Sequence, residues 1–170
     1  MKRVILFMSL VLITGVLFSA CARGVATPPA AERVFYVNAI EIKGGTSTDT
    51  LAAPEIDPKS LGKTFGYKAP GVYDPSNPNK WQVASYQYNP SALTVFQGDT
   101  VKLVLFVVNG DVHTDRIESP SGKIVVAEQI HNRGRQYTMS FVAEEAGIYQ
   151  LRCKEHAEAM RLLITVIPRG

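Results

Sequence analysis

The sequence predicts an all-β protein built as an antiparallel β-sandwich. From residue 81 onward, segments of four to eight residues rich in β-branched and aromatic side chains alternate with turns that contain Gly, Pro, Asn or Asp. Little of this region shows the 3.6-residue period of an amphipathic helix. The chain has 170 residues, which is enough for one domain and no obvious second domain. Short strands separated by turn residues are typical of a sandwich.

The N-terminus, "MKRVILFMSLVLITGVLFSAC", predicts export. Two basic residues precede an apolar run at 4–18, which is shorter than the roughly 20 residues that span a bilayer. "LFSAC" resembles the bacterial lipoprotein box, which implies cleavage before Cys21 and a lipid on its sulfur. We therefore expect a signal peptide at 1–20 and a periplasmic or other extracytoplasmic protein anchored to a membrane. The alternative is an ordinary secretory signal cut nearby, with Cys21 discarded or idle.

The next elements are a tether, a strand and an insertion. Residues 21–33 are small and Pro-containing and predict a lipidated tether, so the folded domain would span 34–170. "VFYVNAIEI" at 34–42 has the composition of a strand. Residues 44–79 are dense in Gly, Pro, Ser, Thr and Asn and predict a loop-rich insertion with one helical turn near 57–62.

The rest of the chain predicts a series of strands that end in two loops of interest. The loop "CKEHAEAM" would join the last two strands, because Gly147 and the β-branched residues around it disfavour a continuous helix. In a sandwich the loops cluster at two ends, so this loop can meet the 108–114 loop, which carries His113. The strands are predicted at 81–88, 92–96, 100–108, 115–119, 122–130, 135–143, 148–153 and 161–168.

The cysteine count favours a metal ligand. The chain has two cysteines, and acylation or removal of Cys21 leaves Cys153 without a disulfide partner. Metal coordination protects a lone thiol in an oxidising compartment. One thiolate, two imidazoles and one thioether suit copper, whereas thioether is a poor ligand for zinc, and magnesium and calcium require oxygen ligands.

The region from about 86 to 168 resembles the cupredoxin family of blue copper proteins, of the plastocyanin and azurin type. The resemblance is carried by "YNPSALTVFQGDTVKLVLF", "NGDVHTDRI" and "AGIYQLRCKEHAEAM". It implies a Greek-key sandwich that holds one copper ion, cycling between Cu(I) and Cu(II). The copper ligands that it implies are His113, Cys153, His156 and Met160.

Two related copper proteins fit less well. "FYVNAIEI" and the segment after it look like nitrosocyanin, a red copper protein with glutamate where His113 stands and a second loop histidine in place of the methionine. The residues present here favour the ordinary blue set. The binuclear centre of cytochrome oxidase subunit II needs two cysteines in the last loop, and only Cys153 is present.

Other polar residues are given structural roles. His131, in "IHNRGR", is predicted to be a solvent-exposed turn residue and the reserve ligand if His113 or Met160 does not bind. Glu155 and Glu158 are predicted to form a solvated rim of the last loop.

We therefore predict a carrier of single electrons, whose partner is a redox protein such as a cytochrome or a terminal oxidase. Two alternatives use the same residues: a copper carrier or metallochaperone for a cuproenzyme, and a nitrosocyanin-like copper enzyme. The net charge is +3, and two of the positive residues lie in the predicted signal peptide, which argues against a nucleic-acid partner.

Overall fold

The computed structural model describes residues 28–169, which form ten strands and one short 3-10 helix. The predicted signal peptide at 1–20 and the predicted lipidation at Cys21 lie outside the described residues. No helix within the described part is long and apolar enough to cross a membrane. The strands are β1 (Glu32–Ser47), β2 (Phe65–Lys68), β3 (Lys80–Asn89), β4 (Ala92–Phe96), β5 (Thr100–Val107), β6 (Val112–Glu118), β7 (Ile124–Asn132), β8 (Gln136–Val142), β9 (Gly147–Cys153) and β10 (Arg161–Ile167).

The strands form two five-stranded sheets, which confirms the predicted β-sandwich. The first sheet has the order β2-β3-β1-β5-β8 and the second has the order β4-β10-β9-β6-β7. Each sheet is mixed, because β1 runs parallel to β5 and β4 runs parallel to β10, while the other neighbours are antiparallel. The two parallel pairs differ from the purely antiparallel arrangement expected from the turn pattern.

The first strand is longer than its sequence predicts. It runs from Glu32 to Ser47 rather than over 34–42, so it begins inside the predicted tether and ends inside the predicted insertion. Its first half pairs with β5 and its second half pairs with β3. Pairing with β3 therefore keeps the chain extended through Gly44 and Gly45, which have little strand propensity of their own.

The predicted insertion is attached to the edge of the first sheet. The helical turn expected near 57–62 is present as a 3-10 helix at Pro58–Leu61. Strand β2 then pairs with β3. Further along β3, the indole Nε1 of Trp81 donates a hydrogen bond of 3.1 Å to the carbonyl of Leu51. These contacts hold both halves of the insertion against β3, at the end of the sheet that lies nearest to the candidate site.

The core lies between the two sheets and follows the two-residue period of the strands. On β5 the side chains of Val101, Leu103 and Leu105 are fully buried, and on β9 those of Tyr149 and Leu151 are buried in the same way. Each large apolar side chain buried from water contributes roughly 1.5–3 kcal/mol to the free energy of unfolding. The core therefore fixes the register of β5 and β9. The other fully buried apolar side chains include Met139, Met160, Leu162 and Ile164.

Candidate metal centre

His113 and Cys153 are brought together by the pairing of β6 with β9. Asp115 lies opposite Cys153 and Ile117 lies opposite Leu151 in this antiparallel ladder. The ladder is extended by a hydrogen bond of 2.9 Å from the backbone N–H of Lys154 to the carbonyl of Thr114. His113 is two residues from Asp115 and points to the same face, so its ring reaches the buried Cys153 sulfur.

His156 reaches the same place from the loop between β9 and β10. This loop is closed by two backbone hydrogen bonds, from Cys153 N–H to the carbonyl of Met160 (3.2 Å) and from Met160 N–H to the carbonyl of His156 (3.0 Å). The prediction of a loop rather than a continuous helix between Cys153 and Met160 agrees with the structure. The short closed loop leaves the His156 ring little freedom to move away from the sulfur.

The three donor atoms have the spacing of a metal site. The Cys153 sulfur lies 3.5 Å from Nδ1 of His113 and 3.6 Å from Nδ1 of His156, and the three atoms all lie within 4.8 Å of one another. Metal–sulfur and metal–nitrogen bonds of about 2.3 and 2.0 Å at a trigonal angle place sulfur and nitrogen about 3.7 Å apart. The measured separations match this value, so the donor set fits a single ion.

The backbone around Asn109 fixes the orientation of the His113 ring. Nε2 of His113 lies 3.3 Å from the Asn109 carbonyl, so this nitrogen carries the proton and Nδ1 presents its lone pair to the site. The next residue, Gly110, has φ +79°, and a Cβ atom there would lie 2.8 Å from Nε2. Glycine is therefore required at this position both by the backbone conformation and by the ring.

The Asn109 side chain ties the same loop to β1. Its Oδ1 accepts a hydrogen bond of 2.6 Å from the Glu41 N–H, and its Nδ2 donates one of 2.9 Å to the Glu41 carbonyl. A side-chain amide thus continues the strand pairing beyond the end of β5. The two sheets are joined at the pole where the three donor atoms lie.

Cys153 and His156 differ in the protonation change that metal binding requires. Burial and the neighbouring Asp115 raise the pKa of the Cys153 thiol well above its usual value. Burial and the proximity of His113 lower the pKa of His156, so its ring is neutral at pH 7 and can bind through a lone pair. A metal ion must therefore displace the thiol proton, while His156 is already in its binding form.

Glu155 clamps the ligand loop to β6. Its carboxylate accepts hydrogen bonds from the Thr114 N–H (2.7 Å) and the Thr114 hydroxyl (2.6 Å). Burial raises the pKa of Glu155, but the bonds from Thr114 outweigh it and set this pKa at about 2. Glu155 was expected on a solvated rim; instead it is half-buried, and one of its oxygens lies 3.3 Å from the Cys153 sulfur.

Tyr86, on β3, supports the His156 ring from the first sheet. The two rings are stacked, with centroids 3.5 Å apart and an angle of 16° between their planes. The Tyr86 hydroxyl donates a hydrogen bond of 3.0 Å to Glu41, its partner in the β1–β3 ladder. Burial and the charge of Glu41 raise the pKa of Tyr86 to about 12, so the phenol remains protonated.

Thr64 connects the insertion to the ligand loop. Its side chain is fully buried, and its hydroxyl accepts a hydrogen bond of 2.9 Å from the Ala159 N–H. The same hydroxyl lies 3.4 Å from the carboxylate of Glu158, which is exposed, as predicted for a residue of the loop rim, and lies beside the insertion. The insertion thus holds the residue that directly precedes Met160.

Met160 is the fourth predicted ligand, and its role stays a prediction. Its side chain is fully buried at the start of β10, and its backbone groups close the ligand loop as described above. The structure therefore places Met160 next to the other three residues in the fold. Its burial is equally expected of a core residue, which is the alternative role for a methionine at the start of an apolar strand.

The prediction for His131 as an exposed turn residue is wrong. Its side chain is fully buried on β7, because the strand continues to Asn132 before the Arg133-Gly134 turn. Its Nδ1 donates a hydrogen bond of 2.7 Å to Asp115, and the other oxygen of Asp115 accepts one of 2.6 Å from the Tyr88 hydroxyl. His131 therefore serves a buried polar network behind the site and does not join the three donors.

Comparison with known proteins gives structural neighbours only. No protein-family model and no curated protein sequence matches the chain. A copper-containing nitrite reductase from Thermus scotoductus is 18% identical, with a TM-score of 0.49 over 82% of this chain and 28% of its own. A multi-copper oxidase from Pseudomonas thermotolerans is 13% identical, with a TM-score of 0.47 over 84% of this chain and 31% of its own.

A third neighbour is smaller. Auracyanin A, a blue copper protein from Chloroflexus aurantiacus, is 19% identical, with a TM-score of 0.41 over 48% of this chain and 89% of its own. This chain therefore spans less than a third of the length of each of the two enzymes and most of the length of auracyanin A.

Replacing Thr64 by valine is expected to loosen the ligand loop. Valine keeps the shape but leaves the Ala159 N–H without its acceptor, and the loss of such a hydrogen bond costs about 0.5–1.5 kcal/mol. Amide hydrogen exchange should show lost protection at Ala159, together with a lower free energy of unfolding in urea. The matched variant Thr64→Ser keeps the hydroxyl and should retain the protection. Equal protection in both variants would contradict this role.

Replacing His131 by leucine tests whether this residue has a structural role or binds the metal. The change removes one partner of a buried pair and should lower the free energy of unfolding by about 3 kcal/mol. The folded variant should still bind one metal ion per chain at wild-type affinity, measured by competition with a chelator. Loss of metal binding in a variant that remains folded would show that His131 acts as a ligand.

Proposed function

We propose that the protein binds one copper ion and carries single electrons. The observation that supports this proposal most directly is the spacing of one thiol and two imidazole nitrogens around a common point, at 3.5 and 3.6 Å from the sulfur. Two histidines and one cysteine in a plane, with a weak axial methionine, form the ligand set of electron-transfer copper sites. Bound copper would supply reversible one-electron chemistry between Cu(I) and Cu(II).

The residues around the site suit electron transfer because they keep the donor atoms in one arrangement. Cys153 and His113 stand on paired strands, and the loop that carries His156 is fixed by Glu155 on one side and Thr64 on the other. Donors that do not move between oxidation states lower the energy required to rearrange the site at each transfer. Met160 would be the axial ligand that tunes the reduction potential.

The two alternatives require features that the site supports less well. A copper carrier must release its metal readily, whereas two of these donors are fully buried and the ligand loop is held at both sides. A copper enzyme needs a coordination position open to substrate, which a set of His113, Cys153, His156 and Met160 does not leave. Electron transfer is therefore the function that the geometry favours.

Copper(II) loading tests the function. The loaded protein should show an intense thiolate-to-copper charge-transfer band and reversible one-electron cycling in voltammetry. Cys153→Ala should abolish the band completely, and Met160→Gln should keep copper while lowering the reduction potential. A colourless, easily stripped site would support the carrier, and a spectrum altered by azide or nitric oxide would support the enzyme. Colour that survives in Cys153→Ala would refute the ligand assignment.

We also propose that the protein works as an exported lipoprotein at the outer face of a bacterial membrane. This proposal comes from the N-terminal sequence, in which a short apolar run ends directly before Cys21. A tether of a dozen residues reaches on the order of 40 Å, which allows the site to meet a membrane-bound cytochrome or oxidase.

Replacing Cys21 by alanine tests the anchor. In a bacterial host, the wild-type protein should fractionate with membranes and carry a diacylglyceryl group by mass spectrometry. The variant should lack the lipid and lose most of its membrane association. Copper-dependent colour should be the same in both forms, since the anchor lies outside the folded domain. An unmodified N-terminus in the wild-type protein would overturn the proposal.

A further inference from the structure

A groove of about 150 Å³ opens beside the candidate metal centre, on the side of the insertion. It is lined by residues of the 3-10 helix and of strands β1, β2 and β3. The residues that carry the argument are Glu41, Lys43, Lys59, Tyr67, Lys68 and Tyr86.

The groove is positively charged. Three lysines and one glutamate line it, which leaves a net charge of +2. Lys43 is neutralised by Glu41, with 2.8 Å between its Nζ and the carboxylate. Lys59 and Lys68 form no salt bridge with any residue in the described range 28–169. Two ammonium groups are therefore free to receive an anion.

The groove is in contact with the metal centre through one aromatic ring. Tyr86 forms part of its wall and is stacked on His156 with 3.5 Å between ring centroids. The Tyr86 hydroxyl is held by Glu41, which also lines the groove, so the ring is fixed in this position. Only the Tyr86 ring therefore separates an occupant of the groove from His156, a predicted copper ligand.

The size of the groove favours a side chain as the occupant over a free cofactor. Pockets that enclose small organic ligands measure roughly 300–1,000 Å³, whereas this groove is about half the lower limit. It is large enough for a carboxylate side chain and a few water molecules. Lysines around such an opening attract a negatively charged protein surface and raise the rate of its encounter.

We propose that an acidic side chain of a redox partner protein docks in the Lys59–Lys68–Tyr86 groove, so that the partner approaches the metal centre over Tyr86. The inference rests on the proposed electron-transfer function for its role, but the anion site itself does not require a metal. It places the docking surface where the insertion meets strands β1 and β3.

Anion binding is tested with hexacyanocobaltate(III), a trivalent anion that is diamagnetic and redox-inert. Titration into the full chain without copper should produce saturable NMR shifts at Lys59, Lys68 and Tyr86. The double variant Lys59→Gln/Lys68→Gln should bind about tenfold more weakly. The control Lys102→Gln/Lys123→Gln removes the same charge far from the groove and should bind as the wild type does. Equal affinity in the two double variants would overturn the proposal.

Kinetics test the docking role in copper-loaded protein. Oxidation of the reduced protein by hexacyanoferrate(III) at low ionic strength should be about tenfold slower in Lys59→Gln/Lys68→Gln than in the control variant. The difference should vanish at high salt, and the reduction potential should be unchanged. Equal rates at low salt would refute docking in the groove.

An anionic membrane surface is the competing occupant. If vesicles containing phosphatidylglycerol shift the groove signals while hexacyanocobaltate does not, the groove contacts lipid and the proposal is wrong. Anion binding is measured by NMR without copper. A protein that does not bind copper can therefore still bind the anion, so the two proposals can be refuted separately.

Discussion

The pairing of β6 with β9 is the interaction on which the candidate centre depends. It sets Asp115 opposite Cys153 and thereby brings His113 within 3.5 Å of the thiol sulfur. Because side chains alternate along a strand, a shift of one residue in this ladder would turn His113 to the outer face. The next inward-facing pair of the ladder, Ile117 and Leu151, is fully buried and makes such a shift costly. The burial of the core therefore also fixes the positions of His113 and Cys153.

The loop that carries His156 is fixed by contacts from three parts of the chain. Glu155 binds it to β6, Tyr86 supports the imidazole from β3, and Thr64 holds it from the insertion. Each of these contacts joins residues far apart in sequence. The insertion thus belongs to the architecture of the centre, although its composition alone resembles that of an ordinary surface loop.

Much of the fold could be predicted from the sequence because its signals are local. Alternation along the strands and Gly or Pro in the turns indicate a sandwich, and the Cys-x-x-His spacing indicates which loop carries the donors. The clustering of loops at the poles of a sandwich predicts that His113 lies near Cys153, although in the structure both residues stand on paired strands, β6 and β9.

The remaining features depend on contacts that leave no local pattern. The parallel pairing of β1 with β5 and the extension of β1 to Ser47 require knowledge of both neighbours. The Thr64 hydroxyl meets a backbone amide 95 positions away. His131 precedes the turn "NRGR", which suggests exposure, yet its partner Asp115 lies on another strand. An aspartate at an inward position of β6 was the one signal that could have predicted a buried polar partner.

The complete burial of Cys153 has a consequence for the protein when no metal is bound. The thiol is inaccessible to solvent and stays protonated, so it is a poor nucleophile toward oxidants and toward the cysteines of other chains. Sulfenic acid formation and intermolecular disulfide exchange both need an accessible thiolate. The fold thus protects the reduced sulfur from oxidants and from other thiols whenever the site holds no metal.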